Sequence, residues 1–297
     1  MQTPKQAPYI AAIEAGGTKF NCAIIDSDRN IISTKRIDTT TPEQTLDLVI
    51  AFFNEQKLAG FNFEKLGLAC FGPLDLNKQS AHYGSITATP KPDWSNTPIT
   101  SILEAALNCT IFLDTDVNAA ALAEYKWGNA TNASVAIYIT IGTGVGGGVV
   151  INGQPLHGLI HPEIGHMIIS PPKGIQGVCP FHGNCIEGLA AGRSMAKIWN
   201  QPAETLPDDH QAWDIQAQVL ASLCHNLLLN FSPEKIILGG GVMNKPGLLE
   251  NIINYTQESL NGYITLPESL TFADIILLPG LDQHSGLFGA FALTQQQ

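Results

Sequence analysis

Twice along the chain an apolar segment runs into a glycine-rich turn and out again. The first turn is Gly16-Gly17-Thr18-Lys19 and the second is Gly142-Thr143-Gly144-Val145-Gly146. The elements around each turn follow one order. Segments 9–15, 20–26 and 31–38 read as three antiparallel strands joined by tight turns. An amphipathic helix over 42–58 follows, then a strand over 65–71, a helix from about 97 to 107, a strand over 110–114 and a helix over 116–127. The second series has strands at 135–141 and 146–151, helices at 186–200 and 208–230, and a strand at 235–238. A helix within 246–260, a strand at 275–278 and a last helix at 285–293 complete it. Strand, strand, strand, helix, strand, helix, strand, helix, twice over, predicts two α/β units built on one plan. The third strand of the second copy must lie within the polar, Pro- and His-rich stretch 153–183. That stretch is an insertion, and long non-repetitive loops tend to carry function.

A length of 297 residues accommodates two such units with a substantial core. The expected division is an N-terminal lobe over 1–118, completed by the last helix (285–297), and a C-terminal lobe over 119–284 carrying the loop 153–188. With 15 basic and 26 acidic residues the net charge is -11, which repels nucleic-acid phosphates and anionic membrane surfaces. No basic-then-apolar leader and no apolar run approaching the ~20 residues of a membrane span is present, so a soluble cytoplasmic protein is expected. In a reducing compartment the six cysteines serve metal binding or simple burial, not a disulfide framework.

Glycine turns let backbone N–H groups approach phosphate oxygens with no Cβ in the way. One such turn is ordinary punctuation, but two in equivalent places shift the balance toward phosphate binding, and Gly16-Gly17-Thr18-Lys19 also offers a hydroxyl and a cation. A third cluster, Gly239-Gly240-Gly241, lies between a strand and a helix and suits close passage of backbone beside an adenosine. Neither a Walker loop nor the protein-kinase motif set is present. In Leu113-Asp114-Thr115-Asp116-Val117-Asn118 a strand gives way to an alanine-rich helix, which puts Asp116 at or next to the N-cap. The positive helix end favours its ionised form, and an ionised carboxylate there can accept a hydroxyl proton as that oxygen attacks phosphorus. Capping alone is the plainer role, and the two are compatible.

His166, Cys179, His182 and Cys185 follow the spacing His-x12-Cys-x2-His-x2-Cys. Two thiolates and two imidazoles make a closed tetrahedral zinc set, and four protein ligands leave no position for a reactive water, so the ion is expected to be structural. Glu163 and Glu187 flank the set, and a fixed loop would fix both carboxylates for binding sugar hydroxyls.

With these motifs the sequence resembles the ROK family of bacterial sugar kinases and sugar-responsive repressors, and within it the fructokinase branch. The likeness runs from about Ile10 to Leu293 and is most specific in Pro162-Glu163-Ile164-Gly165-His166 and in 179–188, Cys-Pro-Phe-His-Gly-Asn-Cys-Ile-Glu-Gly. It implies a duplicated actin-like, hexokinase-type (ribonuclease H-like) α/β fold whose two lobes close on ATP, magnesium and hexose, fructose being the expected substrate. Glucokinase, mannokinase or N-acetylhexosamine kinase activity is the alternative within the family. Residue by residue, Gly16, Gly17, Thr18 and Lys19 match the first phosphate loop, Gly142, Thr143, Gly144 and Gly146 the second, and Gly240 and Gly241 the adenosine side. Asp116 matches the catalytic base, Glu163, His166 and Glu187 match sugar contacts, and Gly72-Pro73 matches a sugar-site loop.

Three positions depart from much of the family. Glu14 stands for an aspartate, Thr115 for an asparagine, and Lys91 for the asparagine that glucose-specific members place on the sugar. All three look like the fructokinase branch. A homodimer is implied by the resemblance only. The sugar-sensing repressors of the family carry a DNA-binding helix-turn-helix ahead of this fold, whereas here the first strand opens at Tyr9 and the charge is acidic, so DNA binding is not expected. A filament or chaperone ATPase of the same superfold would need neither the zinc set nor the two glutamates.

Overall fold

The structure, a computed structural model, describes residues 9–89, 91–281 and 284–296. It forms two compact units. One holds the chain up to Ala123 with His157–His161 and the C-terminal helix, and the other holds Glu124–Leu156 and Pro162–Leu281.

In the first unit, strands β1 (Tyr9–Ala15), β2 (Lys19–Ile25) and β3 (Ile31–Asp38) form an antiparallel meander. Helix α1 (Pro42–Leu58) then leads to β4 (Phe63–Cys70), and α2 (Ile99–Leu107) to β5 (Thr110–Thr115). Both β4 and β5 run parallel, giving the sheet order β3-β2-β1-β4-β5. Thr41 caps α1 by accepting from the Gln44 N–H, with Pro42 in the first turn, and the apolar stripe Leu46, Val49, Phe52, Phe53 faces the core. Helix α3 (Asp116–Trp127) springs directly from the end of β5.

The second unit repeats the plan. Strands β6 (Val135–Ile141), β7 (Val145–Ile151) and β8 (Gln154–Pro155) form the meander, followed by α4 (Ile186–Ala190), α5 (Gly192–Trp199) and α6 (Gln211–Phe231). Then come β9 (Lys235–Gly239), α7 (Leu248–Leu260), α8 (Phe272–Ile275) and β10 (Ile276–Leu277), and the order β10-β9-β6-β7-β8 is the first sheet read from the other edge. Each unit has its own apolar core, one around Ile13, Phe20, Phe53 and Leu68, the other around Ile139, Val149, Leu220 and Ile236.

The third strand of the second copy lies within 153–183 as expected, while the helix over 186–200 and the strand over 275–278 need correction. The missing third strand is a two-residue stub, β8, turned back by Asn152-Gly153 with both residues at positive φ, and Pro155 cannot donate to extend the ladder. The helix expected over 186–200 is broken at Ala191, whose backbone is extended, because the next amide, Gly192 N–H, donates to the Gly142 carbonyl (2.8 Å) instead of to its own helix. The strand expected over 275–278 shrinks to β10 because a Thr271/Asp274 capping box turns residues 272–275 into α8. Among the described residues no helix is long and apolar enough to cross a membrane.

The C-terminal helix α9 (Ser285–Leu293) packs on β1, β4 and β5 in the first unit. Contact is backbone to backbone, since a Cβ on Gly67 would fall onto the Ala290 carbonyl and one on Gly289 onto the main chain of Ala119. Gly67→Ala is therefore expected to cost about 2–3 kcal/mol and lower the Tm by roughly 5–10 °C. Gly17→Ala, where a Cβ meets open space, should leave the Tm nearly unchanged in the same thermal melts.

Candidate active site and metal centre

In the first unit the glycine turn between β1 and β2 is closed by Gly16 N–H donating to the Lys19 carbonyl (2.9 Å), while Gly17, Thr18 and Lys19 are exposed. Thr39, just after β3, clasps this turn twice. Its N–H donates to the Thr18 carbonyl (2.9 Å) and its hydroxyl to the Gly16 carbonyl (2.8 Å). Lys91 places its ammonium on the Thr39 carbonyl (3.0 Å), and Trp94 Nε1 donates to the Thr40 carbonyl (2.7 Å). Lys91 thus braces the first glycine turn, a connection invisible in sequence because 52 residues separate the partners. Glu14, ahead of the turn, accepts from Asn21 Nδ2 (2.7 Å).

The β5–α3 junction is built around Asp114, only 2% exposed. Its Oδ1 accepts from Thr115 N–H (2.7 Å) and Asn118 Nδ2 (2.8 Å), and its Oδ2 pairs with His157 Nε2 (2.9 Å). The hydrogen bond to Asp114, reinforced by its charge, holds the His157 pKa above the ordinary histidine range. Thr115, not Asp116, makes the helix cap, its hydroxyl accepting from Asn118 N–H (3.1 Å). Asp116 is half-buried in the first turn, and its Oδ1 accepts from Val117 N–H (2.9 Å). Gly72 and Pro73, joined by a cis peptide, lie beside His161, whose Nε2 accepts from Leu74 N–H (3.2 Å). Neither His157 nor His161 carries a motif signature, and both were missed from sequence.

In the second unit, the ligand atoms of His166, Cys179, His182 and Cys185 all lie within 4.8 Å of one another. Cys179 Sγ is 3.8 Å from His182 Nδ1 and 4.0 Å from His166 Nδ1, and Cys185 Sγ is 3.6 Å from His166 Nδ1. Zn–S and Zn–N bonds of about 2.3 and 2.0 Å in a tetrahedron put ligand atoms roughly 3.3–3.8 Å apart, so the set fits a closed tetrahedral ion. The backbone holds the donors in place. Cys179 and Gly183 exchange N–H···O bonds (3.3 and 2.9 Å) around the loop, His166 ends a 3₁₀ turn over Ile164–His166, and Cys185 caps α4 by accepting from Gly188 N–H (3.3 Å). Burial, the largest influence, pushes the Cys185 thiol up to about 11. A cation reverses that preference, so metal binding here expels protons and weakens as the pH falls.

Two residues beyond Cys185, Glu187 Oε2 accepts from Val145 N–H (3.1 Å) in the second glycine turn, and Oε1 pairs with Arg193 (2.6 Å). A Cβ on Gly144 would run into this carboxylate. Glu187 therefore ties the Cys/His loop to the glycine turn, and Arg193 is a further member that sequence reading did not single out. Glu163, exposed on the same loop, accepts at its carbonyl from His166 N–H (2.9 Å). At the β9 end, Gly240 has φ 90° and a Cβ there would strike the Ile141 backbone, so only glycine fits, whereas Gly241 faces open space. Gly142 N–H closes its turn onto the Gly144 carbonyl (2.9 Å), with Thr143 exposed between them and Gly146 at the start of β7.

Residues 10–297 match the model of the ROK family. The chain belongs to the ROK family. A fructokinase of Zymomonas mobilis subsp. mobilis is 44% identical over 289 residues, covering 95% of this ROK chain and 95% of its own length. A fructokinase of Lactococcus lactis subsp. cremoris is 41% identical over 290 residues, with 96% and 97% covered. The crystal structure of a ROK hexokinase from Thermus thermophilus superposes with a TM-score of 0.77 at 28% identity, covering 96% of this chain and 97% of that one. The ROK chain thus has the α/β architecture of hexokinase-type relatives.

Because Thr115 makes the cap, Thr115→Ala should destabilise the protein by about 1 kcal/mol, while Asp116→Asn should stay within about 0.5 kcal/mol of wild type. Urea unfolding of the two variants side by side measures the difference. Equal losses would return the capping role to Asp116.

Proposed function

We propose that this chain is an ATP-dependent fructokinase that converts D-fructose to fructose 6-phosphate. The observation that carries the reading is the β5–α3 junction, where Thr115 makes the cap and the next residue presents a carboxylate in the first helical turn of a chain like named fructokinases over nearly its whole length. Asp116, kept ionised by the helix end, accepts the proton of the attacking hexose hydroxyl. The freed oxygen forms its bond to the γ-phosphorus as the bond from that phosphorus to the bridging oxygen of ADP breaks. Gly16, Gly17, Thr18 and Lys19, and likewise Gly142, Thr143, Gly144 and Gly146, offer backbone N–H groups to phosphate oxygens, with Lys19 adding a cation, and the ATP phosphates carry the magnesium. Gly240 and Gly241 let backbone pass close to the adenosine.

Gly72, Pro73, Glu163, His166 and Glu187 contact sugar hydroxyls on this reading, and Lys91 does so from its seat on the Thr39 carbonyl. His166, Cys179, His182 and Cys185 hold a structural zinc, whose contribution is order: it fixes the loop that carries Glu163 and Glu187. The reading extends to a cytoplasmic homodimer, an extension carried by the family resemblance.

A sugar panel with coupled ADP detection tests the substrate. Fructose should give a kcat/KM well above glucose, mannose and N-acetylhexosamines, and a value for glucose equal to or above that for fructose contradicts the assignment. Elemental analysis should find one zinc per chain, and stripping it, or Cys179→Ser, should raise the fructose KM and lower the Tm. Unchanged kinetics in a metal-free protein would dismiss the zinc.

A further inference from the structure

The five residues His157–His161 pack with the first unit yet have little apolar anchoring there, since Leu159 is 100% and Ile160 61% exposed. What fastens the segment is polar and sits at its two ends. At one end His157 Nε2 meets the Asp114 carboxylate at 2.9 Å, and at the other the buried His161 accepts the Leu74 N–H at 3.2 Å. Gly158 N–H donates to the Ile160 carbonyl (3.1 Å) and closes the segment between them. The anchor points coincide with the chemistry read above. Asp114 lies two residues before Asp116 and organises the same junction through Thr115 N–H and Asn118, while Leu74 follows Gly72-Pro73 directly.

We propose that His157–His161 is a positioning strap for the hexose, in which His157 aims Asp116 by way of Asp114 and His161 fixes the sugar loop at Gly72-Pro73. The proposal rests on the assignment of Asp116 and Gly72-Pro73 to the sugar. Its physical basis is the cost of leaving a buried group unmade. Asp114 is out of water, and removing the histidine takes away the donor to one of its oxygens, so the carboxylate and the junction it braces must shift to recover a partner. At the other end the Leu74 N–H loses its acceptor in a buried setting, which releases the loop. The strap's bonds to Asp114 and Leu74 are separate from the clasp of Thr39 and Lys91 on the first glycine turn, which the sugar loop meets through Phe71 N–H on the Ala15 carbonyl (2.8 Å), so ATP binding should be largely spared.

The two roles call for opposite hydrogen-bonding abilities, donor at His157 and acceptor at His161, and a glutamine side chain supplies either one, whereas leucine supplies neither. Steady-state kinetics of His157→Leu, His157→Gln, His161→Leu and His161→Gln, with fructose and ATP varied separately, test the proposal. His157→Leu should lower kcat about tenfold or more, and His161→Leu should raise the fructose KM by a similar factor. In both, the ATP KM should stay within about twofold of wild type, and each Gln variant should recover most of the loss. A purely structural role predicts instead parallel losses for both substrates and no rescue by glutamine, and that outcome overturns the strap. His157 is half-exposed, so its pair of variants decides the matter should His161→Leu not fold. Normal wild-type turnover of fructose with unchanged kinetics in His157→Leu refutes the strap alone. A wild-type protein without fructose-dependent ADP formation refutes the reading of the site, and the strap with it.

Discussion

A carboxylate withdrawn from water is costly unless both its oxygens find donors, and Asp114 at the end of β5 meets that condition with a backbone amide, an asparagine and a histidine. The rest of the first unit's chemistry follows from that. The bonds to Thr115 N–H and Asn118 fix the first turn of α3, the Thr115 hydroxyl is then oriented to cap it, and Asp116 projects from a turn that has little freedom to move. On the proposed function Asp116 is a base, and a base placed to within a fraction of an ångström is better served by a locked strand-to-helix junction than by a loop.

The second unit reaches comparable order by other means. Within its insertion Ile164 and Ile169 reach the core, while Ile168 and Phe181 are exposed. Two thiols and two imidazoles converge there as well, and the short helix α4, capped by Cys185, carries Glu187 onto the amide of Val145. Cys185 and Glu187 thus share the first turn of that helix, so on the proposed function a metal held at Cys185 would also steady the glycine turn that Glu187 holds. The helix break at Ala191 serves the same turn, because it frees Gly192 N–H for the Gly142 carbonyl. Loop, helix and turn form one connected set of backbone bonds rather than three separate features.

Much of this was legible in the sequence, for identifiable reasons. Glycine pairs and Asn/Asp-rich turns set the register of β1, β2 and β3 within a residue, and an alanine-rich run starting at Asp116 and ending at Trp127 gave α3 its bounds. The Cys/His set announced itself because metal ligands need fixed spacing on one loop. What stayed hidden depends on partners far apart in the chain. Asp114 and His157 are 43 positions apart and Lys91 and Thr39 are 52, and no local pattern joins them. The capping role of Thr115 was overlooked because Asp116, an equally good capping residue, stood beside it, and only the bond to Asn118 N–H separates the two. The capping box that makes α8 was present as Thr271-x-x-Asp274 but was outweighed by the apolar run after it.

On the proposed function, the junction around Asp114 delivers one carboxylate, that of Asp116, to a sugar hydroxyl. Replacing that carboxylate by an amide of the same size leaves the Thr115 cap and the Asp114 network in place and removes the proton acceptor alone. The most direct measurement is kcat with saturating fructose and ATP for Asp116→Asn, taken on protein shown by its Tm to be folded. A fall of roughly 10²-fold to 10⁴-fold at a near-wild-type Tm is the predicted result. Turnover close to wild type in the folded variant would contradict the account.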